Sequence, residues 1–294
     1  MDGSEFLTAR FEAHRGHLRS VAYRMLGSLS EADDAVQETW LRLARVDVDA
    51  VTNLAGWLTT VTGRVCLDML RARAARGEVS LDVRLPDPIV STAESVDPEH
   101  EVLLADSVGL ALLIVLDTLE PAERIAFVLH DVFAVPFAEI GALLGRSPSA
   151  ARQLASRARR RVRHSAVEPQ ADPATQRRAV EAFLSAARRS DFDALVSLLD
   201  PDVVVRADTG RPPVRVLRGS GAVAAEALMF SRMASDARLA LVNGAAGIVA
   251  SAQGQPLSVL GFTVREGRIV EIDILADPAR LRRLGAAWPA TGPV

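Results

Sequence analysis

Apolar positions recur at helical spacing through most of the first 74 residues. Phe6, Phe11, Leu18, Val21, Ala22, Met25 and Leu26 fall at intervals that place them on one face of a helix. Gly27 breaks the run, and Ser30 with Asp33 reads as a capping box ahead of a second helix carrying Ala35, Val36, Trp40, Leu41 and Leu43. After a loop from Asp47 to Asn53, a third helix runs from about Ala55 to Ala75, with Trp57, Leu58, Val61, Val65, Leu67, Met69 and Leu70 inward. The stretch from Gly77 to Pro98 has three prolines, several acids and little apolar period, so it reads as an extended linker. A second helical block spans Pro98 to His164, and the Pro-containing run Glu168 to Pro173 closes it.

The pattern then changes. Thr175 to Arg189, Phe192 to Leu199 and Ser220 to Ala234 keep a helical period, whereas Val203–Ala207, Val214–Leu217, Leu239–Val242, Gly247–Ala252, Leu257–Arg265 and Ile269–Leu275 read as strands. Glu266-Gly-Arg268 is a hairpin turn between the last two. Helices followed by a meander of strands predict an α+β unit with a curved sheet.

Within the second helical block, Phe137, Ile140 and Leu144 mark a short helix, Gly145 a sharp turn, and Ser147 with Pro148 the N-cap and first position of the next helix. That helix has an apolar seam of Ala151, Leu154, Ala155, Ala158 and Val162. Seven arginines and no acid lie between Arg146 and Arg163. A short helix, a tight turn and a basic second helix predict a DNA-reading helix-turn-helix. The formal net charge of −3 hides this local field, because residues 1–170 hold 19 arginines against 24 acids, most of them before position 140.

All 34 basic residues are arginine, a bias that base composition alone explains. Cys66 is the single cysteine, which excludes a disulfide or a cysteine-based zinc site within one chain. No apolar run is long enough to span a bilayer, the longest being Val108–Leu116. A cytoplasmic protein without cofactor or metal is expected.

Two longer segments carry a resemblance. Glu31-Ala-Asp-Asp-Ala-Val-Gln-Glu-Thr-Trp-Leu-Arg-Leu43, followed by the stretch from Gly56-Trp-Leu to Arg73, resembles region 2 of extracytoplasmic-function sigma factors. Leu119 to His130 and Val135 to Arg163 resemble region 4 of the same family. The resemblance implies that the first segment binds core RNA polymerase through the acidic strip Asp33, Asp34, Gln37 and Glu38. It also implies that the second reads the promoter −10 element with Asn53, Arg64, Arg71 and Arg73, the loop Val48–Asn53 lying where the family captures a flipped base. Recognition helices touch bases with their N-terminal residues, so Ser149, Arg152, Gln153 and Ser156 are the candidates for the −35 element. Arg157 and Arg160, with Arg159, Arg161 and Arg163, suit phosphates.

Family members ordinarily end soon after region 4. Here Ala186 to Val205 resembles the opening of SnoaL-like domains, and sigma factors with such an extension form a SigJ-like subgroup in which the extension regulates the sigma modules. Asp208 and Gly210, in Asp208-Thr-Gly-Arg211, and Asp277, Pro278 and Leu281, in Asp277-Pro-Ala-Arg-Leu281, resemble the subgroup's regulatory motifs. Thr209 and Asp277 depart from its pattern. Read without the resemblance, the two segments are a strand-end turn and a helix N-cap with Pro at N1.

The expectation is a multidomain chain of two all-α sigma modules and an α+β SnoaL-like cone. Region 2 is placed at 1–76, a linker at 77–97, region 4 at 98–166, a second linker at 167–174 and the cone at 175–286. Its partners would be core RNA polymerase and promoter DNA, with no membrane, and a small ligand of the cone is left open. Two rivals stand. One is a helix-turn-helix regulator acting without polymerase, its cone sensing a ligand or dimerising. The other is an enzyme using Asp208 or Asp273 as base, disfavoured because no His, Tyr, Cys or Lys follows His164.

Overall fold

Helix α1 (Gly3–Leu26) ends where the left-handed Gly27 stops it, and α2 (Leu29–Leu43) begins two residues later. In the computed structural model, which describes residues 3–46, 51–76, 84–91, 109–164, 171–234 and 236–284, Ser28 rather than Ser30 is the α2 N-cap. Ser28 has the extended backbone a cap requires and accepts from Glu31 N, while Ser30 already lies inside the helix. Helix α3 runs Leu54–Ala75. Phe11, Leu18, Val36, Leu43, Leu54 and Leu58 form the core joining these three helices. Phe11 meets Trp40 at 5.1 Å between ring centroids.

The chain divides into two compact units. The first holds residues 1–80, 101–106 and 112–167, so the α1–α3 module and the second helical block belong to one unit. That block comprises α4 (Leu110–Asp117), α5 (Pro121–Phe127) continuing as a π-turn through Val128–Val132, α6 (Phe137–Leu144) and α7 (Pro148–His164). A buried set of Leu113, Leu116, Ile125, Val128, Leu129, Ile140 and Leu154 fills it.

The second unit holds residues 81–100, 107–111 and 168–294. Its helices are α8 (Pro173–Arg188), α9 (Phe192–Leu198), α10 (Ser220–Met233) and α11 (Pro278–Arg283). Its strands are β1 (Val90–Ser91), β2 (Leu199–Asp208), β3 (Arg215–Arg218), β4 (Asp236–Val242), β5 (Ala245–Ala252), β6 (Gln255–Arg265) and β7 (Arg268–Leu275). They form one sheet in the order β1-β4-β5-β6-β7-β2-β3, antiparallel except where β2 runs beside β7. The meander turns three times through two residues of positive φ, at Asn243-Gly244, Gln253-Gly254 and Glu266-Gly267. Mirror-image turns of this kind match the right-handed twist of the flanking strands.

Alternation along the strands separates two faces. Ile248, Phe262, Val264 and Ile272 face the helices with Val180, Phe183, Leu195 and Val223, and Phe183 packs edge-on against Phe262 at 5.3 Å. Val249, Val259 and Leu275 face the other way, where Val90 and Leu281 join them. Part of the stretch expected as an extended linker outside any core is therefore built into one. Leu85 to Ser91 are buried, and Val90–Ser91 add an edge strand to β4.

Candidate nucleic-acid interface and linker clamp

The turn between α6 and α7 is built by backbone fit. Gly145 takes φ +64 and closes α6, and Ser147 Oγ accepts from Ala150 N at 3.2 Å to open α7 behind Pro148. Under the turn, a Cβ on Gly141 would lie 2.8 Å from Arg146 O and 3.1 Å from Pro148 N. Ala151, Leu154, Ala155 and Ala158 are buried along the seam, while Ser149, Arg152, Gln153 and Ser156 are exposed. The Arg152 guanidinium rests 5.3 Å over the Phe137 ring, which stacks on His130 at 3.8 Å.

The seven arginines do different jobs. Arg157 and Arg161 both pair with Glu123 at 3.1 Å, and Arg159 pairs with Asp131 at 2.5 Å. Those three therefore tie α7 to α5 and its π-turn, and only part of the expected phosphate set is uncommitted. Arg146, Arg160 and Arg163 are exposed and carry no ion pair among the described residues.

In the first module, Asn53 caps α3 by accepting from Gly56 N at 3.1 Å, and Arg64 and Arg71 are exposed. Arg73 is not on that surface. It donates to Leu26 O at 3.4 Å, to Glu31, and approaches Asp117 at 3.8 Å. Asp117 in turn pairs at 2.6 Å with Arg124, an arginine only 2 % exposed that sequence reasoning did not single out. On the acidic strip Asp33 takes a two-pronged contact from Arg19 and Glu38 pairs with Arg42 at 3.0 Å, leaving Asp34 and Gln37 exposed. Residues 48–50 of the expected base-capture loop lie outside the described residues.

The two motifs after the helical block converge. Asp277 caps α11 by accepting from Ala279 N at 2.8 Å, and a Cβ on Gly210, at φ +78, would lie 2.8 Å from Asp277 Cγ. Only a glycine lets the turn after β2 come this close. Asp208 accepts from Gly210 N at 2.9 Å, and from Arg280 Nη1 at 2.7 Å. Arg280, 3 % exposed, then reaches out of the motif: Nε donates to Asp87 and Nη2 to the Leu85 carbonyl, each at 2.7 Å. Leu85 N donates to Asp208 Oδ2 at 2.9 Å and Ile89 N to Asn243 Oδ1 at 3.1 Å. The segment 84–91 is thus clamped on the sheet by Arg280, Asp208, Asn243 and Leu281. Further along, Leu110 lies on Gly261, where a Cβ would come 2.9 Å from Leu110 Cδ2.

Asp273 is paired rather than free. Arg206 donates to it at 3.0 Å and to Glu271 at 3.2 Å. Burial pushes its carboxyl up to about 6, Arg206 opposing and Glu271 adding to the shift. A carboxyl raised above its unfolded value near 3.9 holds its proton more tightly when folded, so stability falls as pH rises from about 4 to about 6 and is flat above. Urea unfolding across pH 4–7 is expected to show this slope in the wild type, up to about 3 kcal/mol, and to lose it in Asp273→Asn. An identical slope in both proteins would refute the assignment.

An exposed recognition helix, a second arginine-bearing helix and a clamp on the chain between them define a two-module DNA reader with a third, fused domain. Known proteins agree. The model of Sigma-70 region 2 matches residues 10–76 and that of Sigma-70, region 4 matches residues 110–162. The chain is 39 % identical over 287 residues to the ECF RNA polymerase sigma factor SigJ of Mycobacterium tuberculosis, covering 92 % of this chain and 91 % of that one. The probable ECF RNA polymerase sigma factor SigI of the same organism is 36 % identical over 281 residues, with 95 % and 96 % covered. The crystal structure of M. tuberculosis SigJ superposes with a TM-score of 0.75 at 36 % identity, covering 94 % of this chain and 98 % of that chain. The chain belongs to the extracytoplasmic-function RNA polymerase sigma factors, and a polymerase-independent regulator is not favoured. Its C-terminal unit has the SnoaL-like arrangement of helices on a curved sheet. Among the described residues no helix is long and apolar enough to cross a membrane.

Proposed function

We propose that this chain binds core RNA polymerase, directs it to promoters with −10 and −35 elements, and is modulated by its own SnoaL-like domain acting on the linker between regions 2 and 4. The observation that carries the modulation is the Arg280 clamp, which ties two motifs of the fused domain to Leu85 and Asp87. Asp34 and Gln37 contribute the uncommitted part of the polymerase-facing strip, and Arg64 and Arg71 contact the −10 strand. Ser149, Arg152, Gln153 and Ser156 read −35 base edges, and Arg160 and Arg163 hold phosphates. The fused domain acts by contact rather than catalysis: Asp208 and Asp273, the candidate bases, are both engaged by arginines.

Run-off transcription with purified core polymerase and the full chain tests the reading, and absence of promoter-specific initiation would end it. Within region 4, Arg152→Ala is expected to cost about 1–3 kcal/mol on the cognate −35 duplex and to relax preference at one position. Arg160→Ala should weaken all sequences alike and reduce the salt slope by about 1. Equal, sequence-blind losses from both changes would contradict the division of roles.

A further inference from the structure

Among the base-edge candidates of α7, Arg152 is the one that leans on a ring. Arg157, Arg159 and Arg161 are pinned to Glu123 and Asp131, whereas the guanidinium of Arg152 lies 5.3 Å over the Phe137 ring and has no ion pair among the described residues. Filling the core is not the whole role of that ring. Ile140 and Leu144, one and two turns further along α6, are buried, but Phe137 is only half-buried. It opens α6 directly after the extended Pro136, and His130 stacks on it at 3.8 Å between centroids with 27° between the ring planes. His130 sits on the π-turn Val128–Val132, and its Nδ1 donates to the Val135 carbonyl oxygen at 3.1 Å. The backbone ahead of α6 thus fixes His130, His130 backs Phe137, and Phe137 underlies Arg152. Turns of the π type recur at functional sites.

A ring and a carboxylate hold an arginine in different ways. An arginine paired with a carboxylate has spent N–H donors in charge-assisted bonds, about twice as strong as neutral ones, and must break them before it can serve a base edge. An aromatic face attracts the cation through its quadrupole and has no lone pair to accept from it, so the five guanidinium donors are left for DNA. The contact also restricts a long side chain before DNA arrives, and less freedom is then lost on binding. Restriction matters most for a bidentate reader. A guanidinium bonds guanine O6 and N7 together only from a narrow range of orientations.

We infer that the His130–Phe137 stack positions Arg152 for a guanine of the −35 element, so that a ring on the helix preceding the recognition helix sets how sharply that base is read. The inference rests on the sigma-factor reading above and adds to it a positioning residue, Phe137, with His130 behind it, neither of which has to touch DNA. Among the described residues Arg152 supplies the only cation of α7 over this ring, so the discrimination that the stack supports falls at one base position.

The test uses the full chain with core polymerase, on promoters carrying each base in turn at the −35 position where Arg152→Ala removes preference. Phe137→Leu is expected to lower the preference for guanine there by about 3–5-fold and to leave the other −35 positions unchanged. Phe137→Tyr, which keeps the ring, should read as the wild type does. In an Arg152→Ala background Phe137→Leu should alter no preference, because the effect runs through Arg152. Equal losses in both backgrounds, or equal losses at every position, give Phe137 a packing role and overturn the inference. So does an Arg152→Ala protein with every preference intact. Should Phe137→Leu fail to fold, His130→Ala decides: the same position alone is expected to lose preference, and unchanged preference overturns the stack. If the wild-type chain initiates on none of these promoters, the sigma-factor reading falls, and the same comparison made by binding of the full chain to −35 duplexes still tests the stack.

Discussion

Replacing Arg280 by methionine is expected to lower the stability of the C-terminal unit by about 3–5 kcal/mol and to release residues 84–91 from the sheet. The side chain is 3 % exposed and its guanidinium satisfies Asp208, Asp87 and the Leu85 carbonyl together. Methionine preserves most of the volume but takes the close guanidinium from buried Asp208 and Asp87, the latter keeping the longer approach of Arg84 at 3.9 Å, and breaking one partner of a buried pair costs far more than the pair contributes net. Two readouts separate loss of the clamp from general unfolding. Hydrogen exchange at the Leu85 and Ile89 amides, which donate to Asp208 and Asn243, should accelerate by orders of magnitude, while amides in the β5–β6 ladder keep their order of protection. Unchanged protection at Leu85 would show that the clamp is not what orders the segment.

Gly141→Val should have an effect of similar size in region 4, and there the loss is functional as well. A Cβ at this position meets the Arg146 carbonyl oxygen, Pro148 N and the Ser147 carbonyl carbon, all backbone, so no side chain can swing away. Overpacking of this kind typically costs about 1–3 kcal/mol and more where backbone must move. Here it forces apart the turn that sets α7 on α6. Binding to a −35 duplex is expected to fall at least tenfold for every sequence tested, in contrast to the selective loss from Arg152→Ala. Native affinity with a native melting temperature would show that the turn can relax.

Much of this architecture is written in local pattern. The caps at Ser147 and Asp277, the turn at Gly145 and the strands of the meander follow from residues within a few positions of one another, where backbone preference decides. What escapes the pattern is pairing over distance. Leu85, Ile89 and Val90 sit among prolines without a period, so nothing nearby marks them as core, and their arginine lies at position 280. Arg73 looks like any other exposed arginine of α3 until Glu31 and Asp117 are seen beside it. Arg157 and Arg161 likewise read as phosphate contacts because Glu123 is more than thirty positions upstream. The misplaced cap at Ser30 has a different origin: Ser28 and Ser30 are both good capping residues, and the left-handed Gly27 selects the first.

The clamp also bears on length. Arg76 and Leu110 are separated by 34 peptide steps, a contour of up to ~115 Å that can cover with slack the ~85 Å of duplex, about 25 base pairs, between elements centred near −10 and −35. Seating Arg84–Ser91 on the fused domain leaves only eight steps, at most ~28 Å, between Arg76 and the anchored segment, and Leu110 is itself seated on Gly261. A generous tether becomes a pair of short leashes. Under the function proposed above, the fused domain would act on how far apart two elements can stand, a property of promoter spacing that no residue of either reading helix encodes.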